Sequence, residues 1–299
     1  MVVSALFAVA FFSAQQPAPH PPVAFYVPER VYDTTSGGFV DFEVMLAALA
    51  KADVVFVGEQ HDDPNTHRLE AAILDGLHRR KVTPVLSLEM FERDTQGVLN
   101  DYLAGRITEE EMLKTSRPWP RYATDYRRMV EMARERDWTV VAANVPRRIA
   151  SEVSKTGRDA IAGLADADKA FVASELQCPL DTYFDNFVKS MGDHPAGNKT
   201  AEEQRISVER YYWAQCVKDE TMAESIAAAF GKRSASGPIV HYDGAFHSDF
   251  GLGTAERVRR RLPGKTTIVV TMIPVADLDS LSPGGEDLKR ADYLVYTVR

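Results

Sequence analysis

Short runs of hydrophobic residues recur along the chain and are separated by longer segments of mixed polarity. In the first run, residues 54–57, valine and phenylalanine stand together directly before Gly58. A continuous apolar run of this length is typical of a strand that is buried on both faces of a parallel sheet. Runs of the same character fall within residues 82–91, 138–144, 237–247, 265–273 and 292–299. The pattern therefore predicts a sheet built from these segments.

Amphipathic segments between the runs predict helices. After the first strand, Asp63 and Pro64 are residue types that favour the N-cap and the first position of a helix. Leu69, Ile73 and Leu77 then recur on one face of that helix. Strands that alternate with helices indicate an α/β fold with a mostly parallel central sheet flanked by helices.

One long stretch departs from this alternation. Residues 151–235 show no strand pattern, only helical segments around a loop. We interpret the stretch as a helical insertion, or subdomain, within a single α/β domain that covers residues 23–299.

The N-terminal segment has a different character. Residues 2–12 form an apolar run that is followed by small and proline-rich residues. The run is too short to span a bilayer, but it suits the core of a secretory signal. We therefore interpret residues 1–22 as a signal segment and linker, and we expect an exported protein of the periplasm or cell envelope. No cysteine follows the run, so we find no lipid-attachment site there.

Composition and charge limit the classes of function that the chain can have. The chain has 299 residues, of which 45% are hydrophobic and 26% charged, as in ordinary globular proteins. Its net charge of −8 and the lack of a basic stripe argue against nucleic acid as a partner. Cys178 and Cys216 are the only cysteines. In an oxidising compartment they could form a disulfide worth about 4 kcal/mol, or they could remain two buried thiols.

Candidate chemistry lies where the predicted strands end. Because the carboxyl ends of parallel strands meet at one edge of a sheet, side chains that follow different strands are expected to converge there. Gly58 and Gly244 each precede a histidine by three residues, which gives two Gly-x-x-His elements on separate strands. The polar residues at the strand ends are Glu59, His61, Glu89, Asn144, Asp243 and His247.

Two kinds of chemistry suit this set. His61, Glu89 and His247 could ligate a divalent metal such as zinc, manganese or iron, since neutral imidazole and carboxylate oxygen are ligands of these ions. Without a metal, the same three residues could act as catalytic acid and base. Either case requires both histidines to face one pocket.

Several sequence segments, taken in order, resemble a known family. They are VVFVGEQHDDPNTHRLEAAIL, SLEMFERD, VVAANVPRR, YYWAQCVKDETMAESI and IVHYDGAFHSDFG. Together they are similar to the ChaN-like family, the haem-binding uptake branch of the Tiki superfamily, from about Val31 to the C-terminus. His61 matches the first histidine motif, Glu59 its acidic neighbour, Glu89 the middle glutamate and His247 the second histidine motif. The missing lipid-attachment cysteine departs from some family members.

The resemblance implies an EreA/ChaN-like α/β fold and an envelope protein that binds haem or iron. It also implies a role in iron or haem uptake, peripheral envelope association and a homodimer sharing cofactors. Relatives elsewhere in the superfamily are metal-dependent peptidases or esterases, which keeps a hydrolase using His61, Glu89 and His247 as the alternative. A noncatalytic partner-binding module is a third, weaker hypothesis.

Under the haem hypothesis, the set of candidate cofactor-binding residues is wider. It consists of Glu59, His61, His67, Tyr126, Asn144 and His247.

Other residues in this part of the chain have two interpretations. Tyr242, Met191 and His194 are further possible iron ligands. The aromatic residues Tyr183, Phe184 and Phe187 could cover a porphyrin face, or they could form the core of the insertion. Gln215 and Asp219 share one helix face, which could border a site or face solvent.

Overall fold

The computed structural model describes residues 28–191, 200–233 and 237–299. The predicted signal segment, residues 1–22, and His194 lie outside the described residues. Within them, no helix is long and apolar enough to cross a membrane.

The described residues form one eight-stranded sheet with the strand order β2-β1-β8-β7-β3-β6-β4-β5. The six strands from β8 to β5 are parallel to one another, whereas β1 and β2 are antiparallel to their neighbours. This arrangement confirms the predicted fold class. The strands are β1 (Glu29–Asp33), β2 (Gly38–Val40), β3 (Val54–Glu59), β4 (Val85–Glu92), β5 (Val140–Asn144), β6 (Ile239–Gly244), β7 (Thr267–Val275) and β8 (Tyr293–Val298).

Helices flank both faces of the sheet. They are α1 (Phe42–Leu49), α2 (Pro64–Arg79), α3 (Gln96–Leu103), α4 (Glu109–Ser116), α5 (Arg127–Glu135), α6 (Arg147–Thr156), α7 (Asp166–Lys169), α8 (Thr182–Met191), α9 (Ala201–Lys232) and α10 (Gly253–Arg261). A π-helical turn, Tyr122–Tyr126, leads into α5. Helix α2 begins as predicted, because Asp63 caps it by accepting a hydrogen bond from the backbone N–H of Asn65, and Pro64 opens it.

The two faces of the parallel strands are buried under different helices. On one face, Leu46 of α1, Leu74 of α2 and Met129 of α5 belong to the larger hydrophobic core. On the other face, Ile226 of α9 and Val258 of α10 pack in one cluster with strand residues. Coverage on both sides explains why the strand sequences are continuous apolar runs rather than alternating ones.

The described residues between β5 and β6 are helical and contain no strand. Helix α9 packs against β5, α6 and α10, so it is part of the layer that covers the sheet. Cys178 and Cys216 form a disulfide, which joins the segment before α8 to α9. Of the two alternatives for the cysteines, the structure therefore has the bridge.

Strand β5 lies at an edge of the sheet, and the side chain of Gln96 covers part of it. The Gln96 amide nitrogen donates to the carbonyl of Val140 over 2.9 Å, and its oxygen accepts from the N–H of Ala142 over 2.8 Å. These bonds satisfy backbone groups that would otherwise be available to another strand.

Candidate functional site

Strands β3, β6 and β4 are neighbours, and their carboxyl ends border a cavity of about 530 Å³. Glu59 pairs with Gly244 in the register of β3 and β6, which brings the two Gly-x-x-His elements side by side. His61 and His247 consequently line the same cavity, although they are far apart in sequence. The other lining residues are Glu59, Gln60, Glu89, Trp119, Phe187, Ser190, Gln215, Lys218, Gly244, Ala245, Phe246, Asp249 and Arg290.

His61 is the more accessible of the two histidines, since 49% of its side chain is exposed. Its Nδ1 donates a hydrogen bond to Oε1 of Glu59, and its ring meets Trp119 edge to face at a centroid distance of 4.8 Å. Its Nε2 hydrogen-bonds to none of the described residues. Burial disfavours the charged ring, but the bond to Glu59 and the negative charge of Glu89 raise the pKa of His61 above its ordinary value.

His247 is buried and engaged at both ring nitrogens. Its Nδ1 lies 2.7 Å from Oδ1 of Asp219, and its Nε2 lies 3.3 Å from Oε1 of Glu89. Gln215 adds a contact of 3.1 Å from its amide nitrogen to Nε2. Burial opposes the positive ring, yet the charges of Glu89 and Asp219 raise the pKa of His247 to about 10.

Glu89 is fixed from several sides. Its Oε2 accepts a hydrogen bond from the backbone N–H of Gly244 over 2.8 Å, and its backbone carbonyl accepts one from the amide of Asn144 over 3.1 Å. Burial raises its pKa, but the charge and contact of His247 outweigh this and lower the pKa of Glu89. Glu89 is thus held as a carboxylate beside an imidazolium.

Behind His61 lies a second group, the inner cluster, which consists of Glu59, His67 and Glu70. Nδ1 of His67 lies 3.3 Å from Oε2 of Glu59 and 3.1 Å from Oε2 of Glu70. Tyr126 donates to Oε1 of Glu59 over 2.7 Å, so Glu59 links the inner cluster to His61. The three residues of the inner cluster are at most 4% exposed.

Burial and the charges within the inner cluster strongly shift the pKa values of its three residues. Burial opposes the ionisation of Glu59, but the hydrogen bond from His61 and the contact with His67 lower its pKa. Burial likewise disfavours a charged His67, whereas contacts with Glu59 and Glu70 raise the pKa of His67 to about 10. Burial, reinforced by the negative charge of Glu59, raises the pKa of Glu70 well above its ordinary value.

The remaining predicted residues lie around the cavity rather than in it. Asn144 lies behind Glu89, and Tyr126 lies beneath Glu59. Tyr242 is fully buried and donates to the carbonyl of Glu70 over 3.0 Å. Asp243 is also fully buried, and it accepts a hydrogen bond from Ser248 over 2.9 Å.

The predicted metal set and the closest ligand group differ. Within the described part of the chain, three ligand atoms from histidine and acidic side chains come within 4.8 Å of one another at Glu59, His67 and Glu70. His61, Glu89 and His247 line one cavity, but their ligand atoms do not all lie within 4.8 Å of one another.

Some site residues were not identified from the sequence as part of the set. Asp219 is fully buried, receives hydrogen bonds from Thr254 and Tyr183, and contacts His247. With Gln215 also in contact with His247, the face they share on α9 borders the site instead of solvent. Glu70 could have been found from its i, i+3 spacing to His67 on α2.

The aromatic residues of α8 pack with the wall of the cavity. Tyr183 and Phe246 have ring centroids 5.1 Å apart, and Phe187 and Phe246 have centroids 5.9 Å apart. Phe187 also lines the cavity, while Tyr183 is 2% exposed. The cluster is therefore a hydrophobic core on one side and a cavity wall on the other.

Gly244 is required by close packing against His61. A Cβ at this position would lie 2.7 Å from Nε2 of His61 and 2.8 Å from Cε1. We expect Gly244→Ala to displace the half-exposed His61 ring and to weaken its hydrogen bond to Glu59, at a cost of about 1 kcal/mol in the free energy of unfolding. Chemical denaturation will measure the cost, and the chemical shift of the His61 ring will report the displacement. Gly97→Ala, where a Cβ would meet nothing within 4 Å, is the control; an unmoved His61 resonance in Gly244→Ala would contradict the prediction.

Comparison with known families identifies the family of the chain. A family model described as haem-binding uptake, Tiki superfamily, ChaN matches residues 45–258. The chain belongs to this family. The resemblance seen in the sequence motifs is thereby confirmed, and both Gly-x-x-His elements lie within the matched residues.

A solved member of the ChaN group has the same fold. The structure of ChaN from Campylobacter jejuni, described as showing cofacial haem binding, superposes with a TM-score of 0.65 and 20% sequence identity. The match covers 89% of this chain and 96% of that chain. At this level of identity the likeness concerns the fold alone.

A curated relative comes from a plant. RETICULATA-RELATED 5, a chloroplastic protein of Arabidopsis thaliana, is 26% identical over 288 residues. The match covers 91% of this chain but 38% of the relative, so the chain spans well under half of the relative's length.

Proposed function

We propose that this ChaN-family protein binds haem in the cavity at the carboxyl edge of the sheet, with Nε2 of His61 as an iron ligand. The observation that carries the proposal is the setting of His61, which is half exposed and anchored through Nδ1 on the carboxylate of Glu59. A histidine that ligates a metal usually donates its other ring N–H to such a carboxylate, which fixes the ring and increases its basicity.

The other candidate iron ligands are less suited. His247 contacts carboxylates through both ring nitrogens. Tyr126 donates to Glu59 and Tyr242 to the carbonyl of Glu70, and both side chains are almost fully buried. An iron atom in the cavity would therefore meet His61 first.

The walls of the cavity fit a flat, amphipathic ligand. Trp119, Phe187 and Phe246 offer the apolar cover that porphyrin faces need, while Lys218 brings positive charge for a carboxylate group. Arg290 also lines the cavity, but it is paired with Asp249 over 2.6 Å. The volume of about 530 Å³ lies within the range of small-molecule sites. Bound haem would supply the iron, the aromatic residues of the cavity would cover its ring, and Glu59 orients the imidazole of His61.

Titration of the haem-free full chain with haemin tests the proposal. We expect a Soret band distinct from that of free haemin, with saturation at a fixed ratio of haemin to protein. A spectrum identical to that of free haemin at every protein concentration would contradict haem binding.

Location, oligomeric state and a role in uptake remain predictions. The disulfide between Cys178 and Cys216 supports an oxidising compartment such as the periplasm, because cytosolic disulfides are rare. Family membership supports a homodimer, peripheral envelope association and a role in haem or iron uptake, and each can be tested separately.

A second candidate function is hydrolysis, and one observation favours it. Two histidine–carboxylate pairs, His61 with Glu59 and His247 with Asp219, face a single cavity. Such pairs can hold and move protons at a substrate ester. Esterase activity of the haem-free protein that is lost in His247→Gln, while haemin still binds, would favour this function over the first.

A further inference from the structure

The inner cluster directs its acceptor atoms toward a common point. Nδ1 of His67 lies 3.1 Å from Oε2 of Glu70 and 3.3 Å from Oε2 of Glu59. One ligand atom from each of the three residues lies within 4.8 Å of the others. No other part of the described chain brings histidine and acidic side chains together in this way.

The contacts of Nε2, the second ring nitrogen of His67, limit the protonation states that the ring can adopt. Nε2 lies 3.3 Å from Oδ2 of Asp125 and 3.3 Å from the backbone carbonyl of His61. Both neighbours are acceptors, so Nε2 carries a hydrogen and donates it. Nδ1 then faces two carboxylates, so the ring either carries a second hydrogen there, as its raised pKa indicates for the metal-free protein, or binds a cation that lies between them.

Two carboxylate oxygens in the cluster also lack a well-formed hydrogen bond, although Nδ1 of His67 lies 3.3 Å from one of them. Oε2 of Glu59 and Oε1 of Glu70 are buried and have no hydrogen-bond partner among the described residues. Unpaired buried oxygens of this kind are costly, and they call for protons or a metal ion. Oε1 of Glu59, in contrast, is satisfied by His61 and Tyr126.

We propose that Glu59, His67 and Glu70 form a metal site for a divalent transition ion of the zinc, manganese or iron class. One imidazole and two carboxylates are a donor set that these ions accept. Ligand bonds of about 2.0–2.2 Å in tetrahedral geometry place donor atoms roughly 3.3 Å apart, which agrees with the separations of 3.1 and 3.3 Å from Nδ1.

The surroundings are those of a supported metal ligand. The contacts of His67 Nε2 with Asp125 and a backbone carbonyl are the outer partners that fix a ligating histidine. Arg121 in turn holds Asp125 through a hydrogen bond of 2.5 Å. The site is separate from Nε2 of His61 and does not depend on haem binding, yet Glu59 connects the two.

Metal analysis of the haem-free protein tests the site. After dialysis against a chelator and reloading with zinc, we expect about one tightly held ion per chain. Glu70→Gln keeps the size of the side chain but removes a ligand charge, and it should weaken zinc retention at least about tenfold. Asp75→Asn, a partly exposed position on the same helix paired with Arg79, is the matched control and should retain the ion.

A second variant and a spectroscopic measurement locate the ion. His61→Ala should keep the zinc, since Nδ1 of His61 bonds to Oε1 of Glu59, whereas the proposed ligand atom is Oε2, which lies toward His67. X-ray absorption of the zinc-loaded wild type should show a single imidazole with oxygen ligands, a result that does not depend on any variant folding. Failure of the wild type to retain zinc, manganese or iron, or zinc that is lost in His61→Ala but kept in Glu70→Gln, would overturn the proposal.

Discussion

His61→Ala is expected to weaken haemin binding at least about tenfold, or about 1.4 kcal/mol, and to move the Soret band toward that of free haemin. The substitution removes the cavity nitrogen that has no hydrogen-bond partner among the described residues, together with an aromatic contact to Trp119. Haemin titration followed by absorbance will give the affinity. The band position will separate loss of an iron ligand from loss of apolar contact.

A control on another histidine makes this result specific. His78 is exposed near the end of α2, where its ring contacts Trp138, and it is remote from the cavity residues. His78→Ala should leave both the affinity and the Soret band unchanged. If His61→Ala binds haemin like the wild type, with the same band, the iron ligand is another residue, and the assignment of His61 is wrong.

Glu59 connects the proposed haem ligand His61 to the proposed metal site through its two oxygens. Oε1 orients His61 and accepts a hydrogen bond from Tyr126, while Oε2 faces His67. A cation in the inner cluster would help to keep Glu59 ionised and in place without entering the cavity. Haem-dependent spectra and zinc retention therefore report on neighbouring but separable functions.

The convergence of the polar side chains at one edge of the sheet could be predicted, because the carboxyl ends of parallel strands all meet at that edge. Residues 54–57 have the apolar character of a central parallel strand, and the register of β3 and β6 then brings Glu59 opposite Gly244. The contact between Gly244 and the His61 ring was harder to predict. Gly244 does not have a positive φ, and it is needed because the His61 ring lies against it.

Residues on helices were predicted less well than residues at strand ends. Asp219 is on α9, and which face of that long helix meets His247 depends on how α9 packs over the sheet. Periodicity places Gln215 and Asp219 on one face but does not say what that face covers. The strands β1 and β2 were missed because they are short and only partly buried, so neither forms a continuous apolar run.

Asp219→Ala is expected to lower the free energy of unfolding by about 3 kcal/mol, because it removes the nearer of the two carboxylates that pair with the buried imidazolium of His247. Asp219 also accepts hydrogen bonds of 2.9 Å from Thr254 and 2.8 Å from Tyr183, which lose their acceptor. Urea denaturation will measure the change. Asp185→Asn, an exposed acid on α8, is the control and should change stability little.

The pH dependence of stability tests whether this effect is electrostatic. The pKa of His247 is raised to about 10, so its stabilising contribution is complete below the ordinary histidine pKa and is lost as the pH rises toward 10. The wild type should therefore lose more stability between pH 6.5 and 9.5 than Asp219→Asn does. His67, whose pKa is also raised to about 10, is present in both proteins and cancels in the comparison. Equal losses in the two proteins would show that Asp219 stabilises the fold through packing and neutral hydrogen bonds, and not through the charge of His247.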